Sequence, residues 1–384
     1  MSTEAKPARI RLGMVGGGTG AFIGAVHRIA ARMDDQYDLV AGALASVPER
    51  AHASAAALGI DASRSYADFA TMAEAEAGRA DGIEAVAIVT PNHLHAAPAR
   101  AFLARGIHVL CDKPLTATLQ EARDLEAAAK ASGAMFILTH NYTGYPMVRE
   151  ARAMVASGVL GPLRLVQVEY AQDWLSTPLE ASGQKQAEWR TDPARSGAGG
   201  ATGDIGTHAY NLVRFVTGLR PTALAADLQS FVPGRKLDDN AHVLLRFAGG
   251  ARGMLWASQV APGNENALRL RVYGETGGLE WSQEDPNYLW HLPLGEPRRR
   301  LTRAGAGSGP AASALTRVPA GHPEGYLEGF ANLYAEAATA ILARRDGREP
   351  PATLLPGIGD GVEGMVFIDA CVRSSAANAA WVAL

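Results

Sequence analysis

Six residues near the start of the chain, Gly16-Gly17-Gly18-Thr19-Gly20-Ala21, restrict the fold more than any other stretch. They follow an apolar segment at 10–15 that reads as a buried strand, and they precede a helical pattern at 21–33. Gly16-x-Gly18-x-x-Ala21 fits the spacing of a strand–turn–helix that binds a dinucleotide. Glycine permits the tight turn and lets the backbone approach a pyrophosphate, while the next helix aims its first amides at the anion. Gly16, Gly18, Gly20 and Ala21 are therefore expected to meet the cofactor phosphates.

The alternation continues. Expected strands at 37–43, 83–89, 107–110 and 135–139 alternate with helical stretches at 51–58, 66–74, 97–105 and 119–132. This order predicts a doubly wound parallel sheet, whose ligands sit at the carboxyl ends of the strands. An acid at the tip of the second strand normally holds the ribose of NAD. Here the tip reads Leu44-Ala45-Ser46-Val47-Pro48-Glu49-Arg50. Ser46 with Arg50 suits a 2′-phosphate, so the cofactor is expected to be NAD(P), with NADP favoured. Glu49 is expected in the first turn of the following helix, where an acid suits the dipole.

Two loops at the same sheet edge carry polar groups. The third strand ends in Thr90-Pro91-Asn92-His93-Leu94-His95. Pro91 stops the ladder and Asn92 turns the chain. Thr90, Pro91, Asn92 and His95 are expected to flank a nicotinamide. His93 and His95 lack Cys or acidic partners nearby and read as a cap or a cofactor wall rather than a metal pair. The fourth strand runs into Cys111-Asp112-Lys113-Pro114. A lysine there leaves the sheet at its ligand-binding edge, so Asp112 and Lys113 join the cofactor set.

Beyond His140 the pattern changes. A helix to 157 is followed by a strand at 163–170, with Val166, Val168 and Tyr170 on one face. Further strands are expected at 223–228, 240–247, 251–260, 267–273 and 278–282, with Gly249-Gly250 as a hairpin signal. They predict a large, mostly antiparallel, open-faced sheet with one covered face. The other face suits a subunit contact in a homodimer or homotetramer. The stretch 295–319 reads as a mobile low-complexity loop, and 324–344 and 359–375 read as helices. The expected division is a dinucleotide-binding domain at 1–139 and an α+β substrate-binding and oligomerisation domain at 140–384.

Composition narrows the function. A length of 384 residues suits two domains, and 47% hydrophobic with 20% charged residues suits a soluble globular enzyme. A net charge of −3 offers no basic footprint for nucleic acid. Two cysteines, Cys111 and Cys371, make neither a disulfide framework nor a metal spacing and fit a reducing cytoplasm. The polar stretch 1–9 does not read as a signal peptide, and no apolar run reaches membrane-span length.

Four stretches together resemble the Gfo/Idh/MocA oxidoreductases, the glucose-fructose oxidoreductase and inositol dehydrogenase family. They are the glycine turn from Gly16, Thr90-Pro91-Asn92 with His95, Cys111-Asp112-Lys113-Pro114, and Gly203-Asp204-Ile205-Gly206-Thr207-His208. The match spans nearly the whole chain. It departs at Asp112, where the family usually has Glu, and at Phe22-Ile23-Gly24, which looks inserted before the first helix. The resemblance implies a Rossmann domain followed by an open-faced sheet domain, with Lys113, Asp204 and His208 at the catalytic centre.

Asp204 and His208, four apart, share a face if the segment is helical, although Asp204 as a helix cap beside a surface His208 is the plainer alternative. The glycines at 197–203 favour a close ligand approach. The expected reaction is reversible oxidation of a secondary alcohol of a sugar, cyclitol or related polyol. His208, titrating near neutrality, would take the hydroxyl proton, Lys113 would stabilise charge on the oxygen, and Asp204 would orient the ring or the substrate. Lys113 is the other candidate for the proton. Tyr142, Trp174, Lys185, Trp189, Arg190, His322 and Tyr326 are candidates to line the substrate pocket. Two alternatives stand beside this reading. One is an NAD-dependent glycoside-cleaving enzyme using transient oxidation; the other is a non-catalytic regulatory relative.

Overall fold

A computed structural model describes residues 8–384. Residues 1–7, which carry most of the polar N-terminal stretch, lie outside it. The first strand, β1 (Ile10–Gly16), is followed by α1 (Phe22–Met33), β2 (Tyr37–Ala43), α2 (Pro48–Ala57) and α3 (Phe69–Ala77). Next come β3 (Ala85–Val89), α4 (Ala96–Leu103), β4 (His108–Cys111), α5 (Leu119–Ser132) and β5 (Phe136–Leu138). These five strands form a parallel sheet in the order β2-β1-β3-β4-β5. The order reverses between β1 and β3, which puts the glycine turn and the Thr90 loop on either side of the crevice where such sheets bind ligands. Lys113 follows β4 and His140 follows β5 at the same edge.

Local chemistry explains the helix boundaries. The third helix starts at Phe69 rather than 66, because the Asp68 carboxylate accepts from Ala70 N and Thr71 N. Tyr66 instead packs inward and donates its hydroxyl to Glu76 at 2.8 Å. Thr118 caps α5, and Gly133 closes it in the left-handed region at φ 67°. Glu49 does lie in the first turn of α2.

After α6 (Pro146–Ala156) the chain builds a second sheet from β6 (Leu163–Ala171). Helices α7 (Lys185–Arg190), α8 (Pro193–Ser196) and α9 (Thr207–Thr217) lead to β7 (Pro221–Gln229), β8 (Asn240–Phe247) and β9 (Arg252–Ser258). Then follow β10 (Ala267–Gly274), β11 (Gly277–Ser282), β12 (Tyr288–Pro293) and β13 (Arg299–Thr302). Short α10 (Pro310–Ser313), long α11 (Tyr326–Arg345), α12 (Ile358–Ala376) and β14 (Val382–Ala383) complete the chain. The sheet has nine strands in the order β13-β12-β11-β10-β6-β9-β8-β7-β14. Every pairing is antiparallel except β6 with β9. Helices α6, α9 and α12 cover one face, and exposed Leu165, Leu244 and Met254 stand on the other.

The expected mobile loop at 295–319 is a correction. It contains edge strand β13 and helix α10. Buried Arg303 ties it down by pairing with buried Glu324 at 2.8 Å and donating to Asn287 at 2.8 Å. Its Arg-, Gly- and Pro-rich composition hid this, since the anchoring partners lie outside the stretch.

Helix α11 returns to the first sheet. Phe330, Tyr334 and Ile341 share a core with Ile10, Met14 and Val26, and Tyr334 Oη bonds His27 Nδ1 at 2.8 Å. Among the described residues no helix is long and apolar enough to cross a membrane.

Candidate active site

The glycine turn leaves the N-terminus of α1 open. Gly16, Gly17 and Gly20 take positive φ of 77°, 70° and 84°, which L side chains rarely adopt. Ala21 is the N-cap, and no side chain bonds the first amides of α1. This is a fitting cradle for a pyrophosphate. Two of the expected glycine roles change. A Cβ on Gly18 would meet Leu44 O at 2.8 Å and Ser54 Oγ at 2.7 Å, so Gly18 makes room for the chain's own β2–α2 corner. A Cβ on Gly24 would meet Gly17 Cα and O at 2.4 Å. The glycine that allows α1 to pack on the turn is therefore Gly24, three residues beyond Ala21. The stretch that looked inserted moves this contact along the helix. At the far corner Ser46 and Arg50 are both exposed.

The Thr90 loop is held by its own polar groups. Asn92 is buried and donates to Ser196 O at 2.9 Å, while His93 Nδ1 lies 3.2 Å from Arg195 O. His95 is fully buried, with Nδ1 2.8 Å from Pro114 O and Nε2 2.8 Å from Thr90 O. Burial lowers its pKa, so the neutral ring has one N–H and donates to one of these two carbonyls. His95 thus packs between the Thr90 and Lys113 loops with backbone facing both ring nitrogens. Asp112 accepts from Lys113 N at 2.9 Å and Thr139 Oγ1 at 3.1 Å, which ties the ends of β4 and β5.

Lys113 meets Asp204 directly. Its ammonium donates to Asp204 Oδ1 at 2.9 Å and to Asp204 O at 2.6 Å. Asp204 lies in a π-helical turn, Thr202–Gly206, that leads into α9. Such turns recur at functional sites because the wider ring re-aims a backbone group or side chain. Asp204 Oδ2 accepts from Arg190 Nε at 3.2 Å and Gln259 Nε2 at 2.9 Å. Burial alone would raise the Asp204 pKa, but Lys113 and Arg190 outweigh it and hold the carboxyl well below the usual range. None of the Asp204 carboxylate bonds goes to His208, so the expected orienting of the imidazole is not seen.

The approach glycines serve the protein's own packing. A Cβ on Gly197 would lie 2.3 Å from Ala117 O, and one on Gly200 would lie 2.0 Å from Asp238 O. Asp238 then accepts from Gly200 N at 2.7 Å and from Thr202 N at 2.8 Å, fixing the entry to the π-helical turn.

His208 sits one turn on, buried, with its ring edge-on to Tyr142 at 4.8 Å and to His140 at 5.4 Å. Its Nδ1 is buried without a partner among the described residues. Burial first, then the Lys113 ammonium and His140, pushes the imidazole well below the ordinary histidine range. The expectation of titration near neutrality is corrected: His208 is a neutral imidazole.

The expected pocket residues divide. Tyr142 packs on His208, and Arg190 reaches Asp204. Trp174 donates to Gln172 Oε1 at 3.0 Å, Gln172 donates to Asn266 Oδ1 at 2.7 Å, and Tyr170 donates to the same oxygen at 2.8 Å. Tyr142 and Tyr170 hydroxyls meet at 2.6 Å. Since the Tyr170 proton goes to Asn266, Tyr142 is the donor in that pair. Tyr326 stacks on exposed Phe22 at 6.4 Å, and burial, with Tyr142 and Asp112 nearby, raises its phenol. Trp189 is half-buried beneath the Arg190 guanidinium, 4.2 Å from its ring centre. Lys185 and His322 are exposed, and among the described residues no hydrogen bond or ion pair joins either side chain to the Lys113–Asp204–His208 cluster.

Comparison with known proteins identifies the family. The description "Oxidoreductase family, NAD-binding Rossmann fold" matches residues 10–150, and the "GFO/IDH/MocA C-terminal domain" matches 148–280. An uncharacterized oxidoreductase, YfiI, of Bacillus subtilis is 36% identical over 97% of this chain and 96% of its own. The chain belongs to the Gfo/Idh/MocA oxidoreductases. An inositol dehydrogenase homolog from Azotobacter vinelandii, solved with NAD+, is 40% identical with a TM-score of 0.93, covering 98% of this chain and 97% of the other. An oxidoreductase from Sinorhizobium meliloti is 62% identical with a TM-score of 0.89, covering 98% and 100%. Levoglucosan dehydrogenase, solved with NADH and levoglucosan, is 26% identical with a TM-score of 0.83, covering 98% and 99%. Within this Gfo/Idh/MocA chain, sequence reasoning missed Gln259, His140 and Gly24. Gln259 carried no signal, because a glutamine at the end of a strand is ordinary. Gly24 was visible as a glycine eight residues after Gly16.

Proposed function

We propose that this protein is an NAD-dependent dehydrogenase acting on a secondary alcohol of a polyol or sugar ring, with Lys113, Asp204 and His208 as its working set. The observation that carries this is the Lys113 ammonium, doubly anchored on Asp204 beside a neutral imidazole, at the ligand-binding edge of a Rossmann sheet. A nicotinamide supplies a hydride acceptor or donor when bound, and the residues from Gly16 to Ala21 with the start of α1 would hold its pyrophosphate.

Each residue then has a distinct task. Two of the three ammonium N–H groups of Lys113 go to Asp204, which leaves one for a substrate oxygen. That donor stabilises the alkoxide character that grows on the oxygen as hydride leaves the carbon. Asp204 holds the Lys113 ammonium in place, and being saturated with donors it does not serve as a base. His208 accepts the hydroxyl proton at Nε2, because its Nδ1 is sealed. Relatives solved with myo-inositol or levoglucosan support the substrate class.

The relatives' cofactor complexes contain NAD+ or NADH, and on that ground we favour NAD. Exposed Ser46 and Arg50 keep a 2′-phosphate admissible, so NADP is proposed as a poorer second cofactor. The test is reduction of NAD and NADP with a panel of cyclitols, sugars and anhydrosugars. No turnover with any member would overturn the reading, and a higher kcat/KM with NADP would reverse the cofactor order. Arg50→Ala should lower only the NADP rate.

A further inference from the structure

His140 carries an observation that the proposed chemistry leaves unused. It follows β5, is buried, and its backbone is fully engaged: N donates to Leu138 O at 2.8 Å, and O accepts from Thr143 N at 3.0 Å and Thr143 Oγ1 at 2.8 Å. Among the described residues its side chain has no hydrogen-bond partner. Nδ1 is sealed and unpaired, as is Nδ1 of His208, whose ring it meets edge-on at 5.4 Å. Burial, then Lys113 and Arg214, holds its pKa down to about 3, so both rings are neutral near pH 7. A buried imidazole without a partner loses its water and regains no hydrogen bond. An apolar side chain of similar shape would fill the same space without that loss. In each ring Nε2 is the nitrogen that is not sealed.

We infer that His140 is a specificity residue of the substrate pocket, and that its Nε2 reads a hydroxyl on the carbon next to the one being oxidised. This rests on the dehydrogenase reading of the Lys113–Asp204–His208 site. His208 Nε2 and the third N–H of Lys113 take the reacting oxygen, and the adjoining ring offers a neutral nitrogen one substituent away. A site built to hydrogen-bond a hydroxyl rejects the analogue that lacks it, since its own polar group is then left unpaired.

The test compares myo-inositol, D-glucose and levoglucosan, each with its monodeoxy analogues, as substrates for the wild type and for His140→Phe and His140→Gln. Phenylalanine keeps the ring packing against His208 and removes the nitrogen. Wild type should prefer a parent compound over the analogue missing the neighbouring hydroxyl by about a hundredfold or more in kcat/KM. His140→Phe should bring that ratio close to one by slowing the parent alone, and His140→Gln should restore part of it. Equal losses on parent and analogue, or an unchanged ratio, would overturn the inference while leaving the dehydrogenase reading intact. No NADH from any compound with wild type would overturn both. Should His140→Phe not fold, 15N-labelled histidine in wild type provides the same reading. The His140 Nε2 resonance should shift when the parent joins the NADH complex and stay in place with the deoxy analogue. A resonance that stays in place with both would sink the idea.

Discussion

Lys113 has one free N–H, and its value depends on charge that grows in the transition state. Lys113→Ala should lower kcat by about a hundredfold or more while NADH affinity, measured by fluorescence titration, stays near normal. Near-normal turnover in this variant would remove Lys113 from the chemistry. The pH profile follows from His208. Its pKa is depressed, so the neutral form that can accept a proton persists as pH falls and is lost only well below 6.5. The acid limb of kcat/KM should therefore lie below the ordinary histidine value and disappear in His208→Ala. A limb centred near 6.5 in the wild type would show that another group controls the rate. Both residues were legible from spacing and resemblance. The depressed pKa was not, because it comes first from burial and then from the Lys113 ammonium, and both arise only through the fold.

At the scale of elements, the first turn and the π-helical turn share one device, glycine where two backbones touch. Gly24→Ala places a methyl 2.4 Å from Gly17 Cα. Helix α1 must then move off the turn, at about 1–3 kcal/mol for such overpacking. Thermal melting should fall and NADH affinity should weaken together. An unchanged melt with full affinity would show that α1 does not depend on this contact. The strand–turn–helix was readable from its glycines, but which glycine meets what was not. Gly18 faces Leu44, and Gly200 faces Asp238, partners well away along the chain. Similarly, residues 295–319 read as a loop because the buried Arg303–Glu324 pair that orders them joins distant positions in the fold.

For the whole molecule, the uncovered face of the nine-stranded sheet is the consequential surface. Leu165, Leu244 and Met254 are 55%, 51% and 44% exposed on central strands β6, β8 and β9. Adjacent exposed apolar side chains on a wide sheet favour association. We propose a homodimer or homotetramer through this face. Sedimentation at micromolar concentration should show it, and Met254→Asp, which puts a charge at its centre, should shift the protein toward monomer with NADH binding retained. A wild-type monomer would count against this interface.

The order of strands and helices up to β5, the glycine turn and the three polar stretches followed from periodicity and residue type, because those signals are local in the chain. What Asp204 binds, how far His208 is shifted, where α11 packs and why His140 lacks a partner are contacts between distant segments. Their energies depend on burial and on distances of a few ångströms, and those exist only once both sheets and α11 have come together.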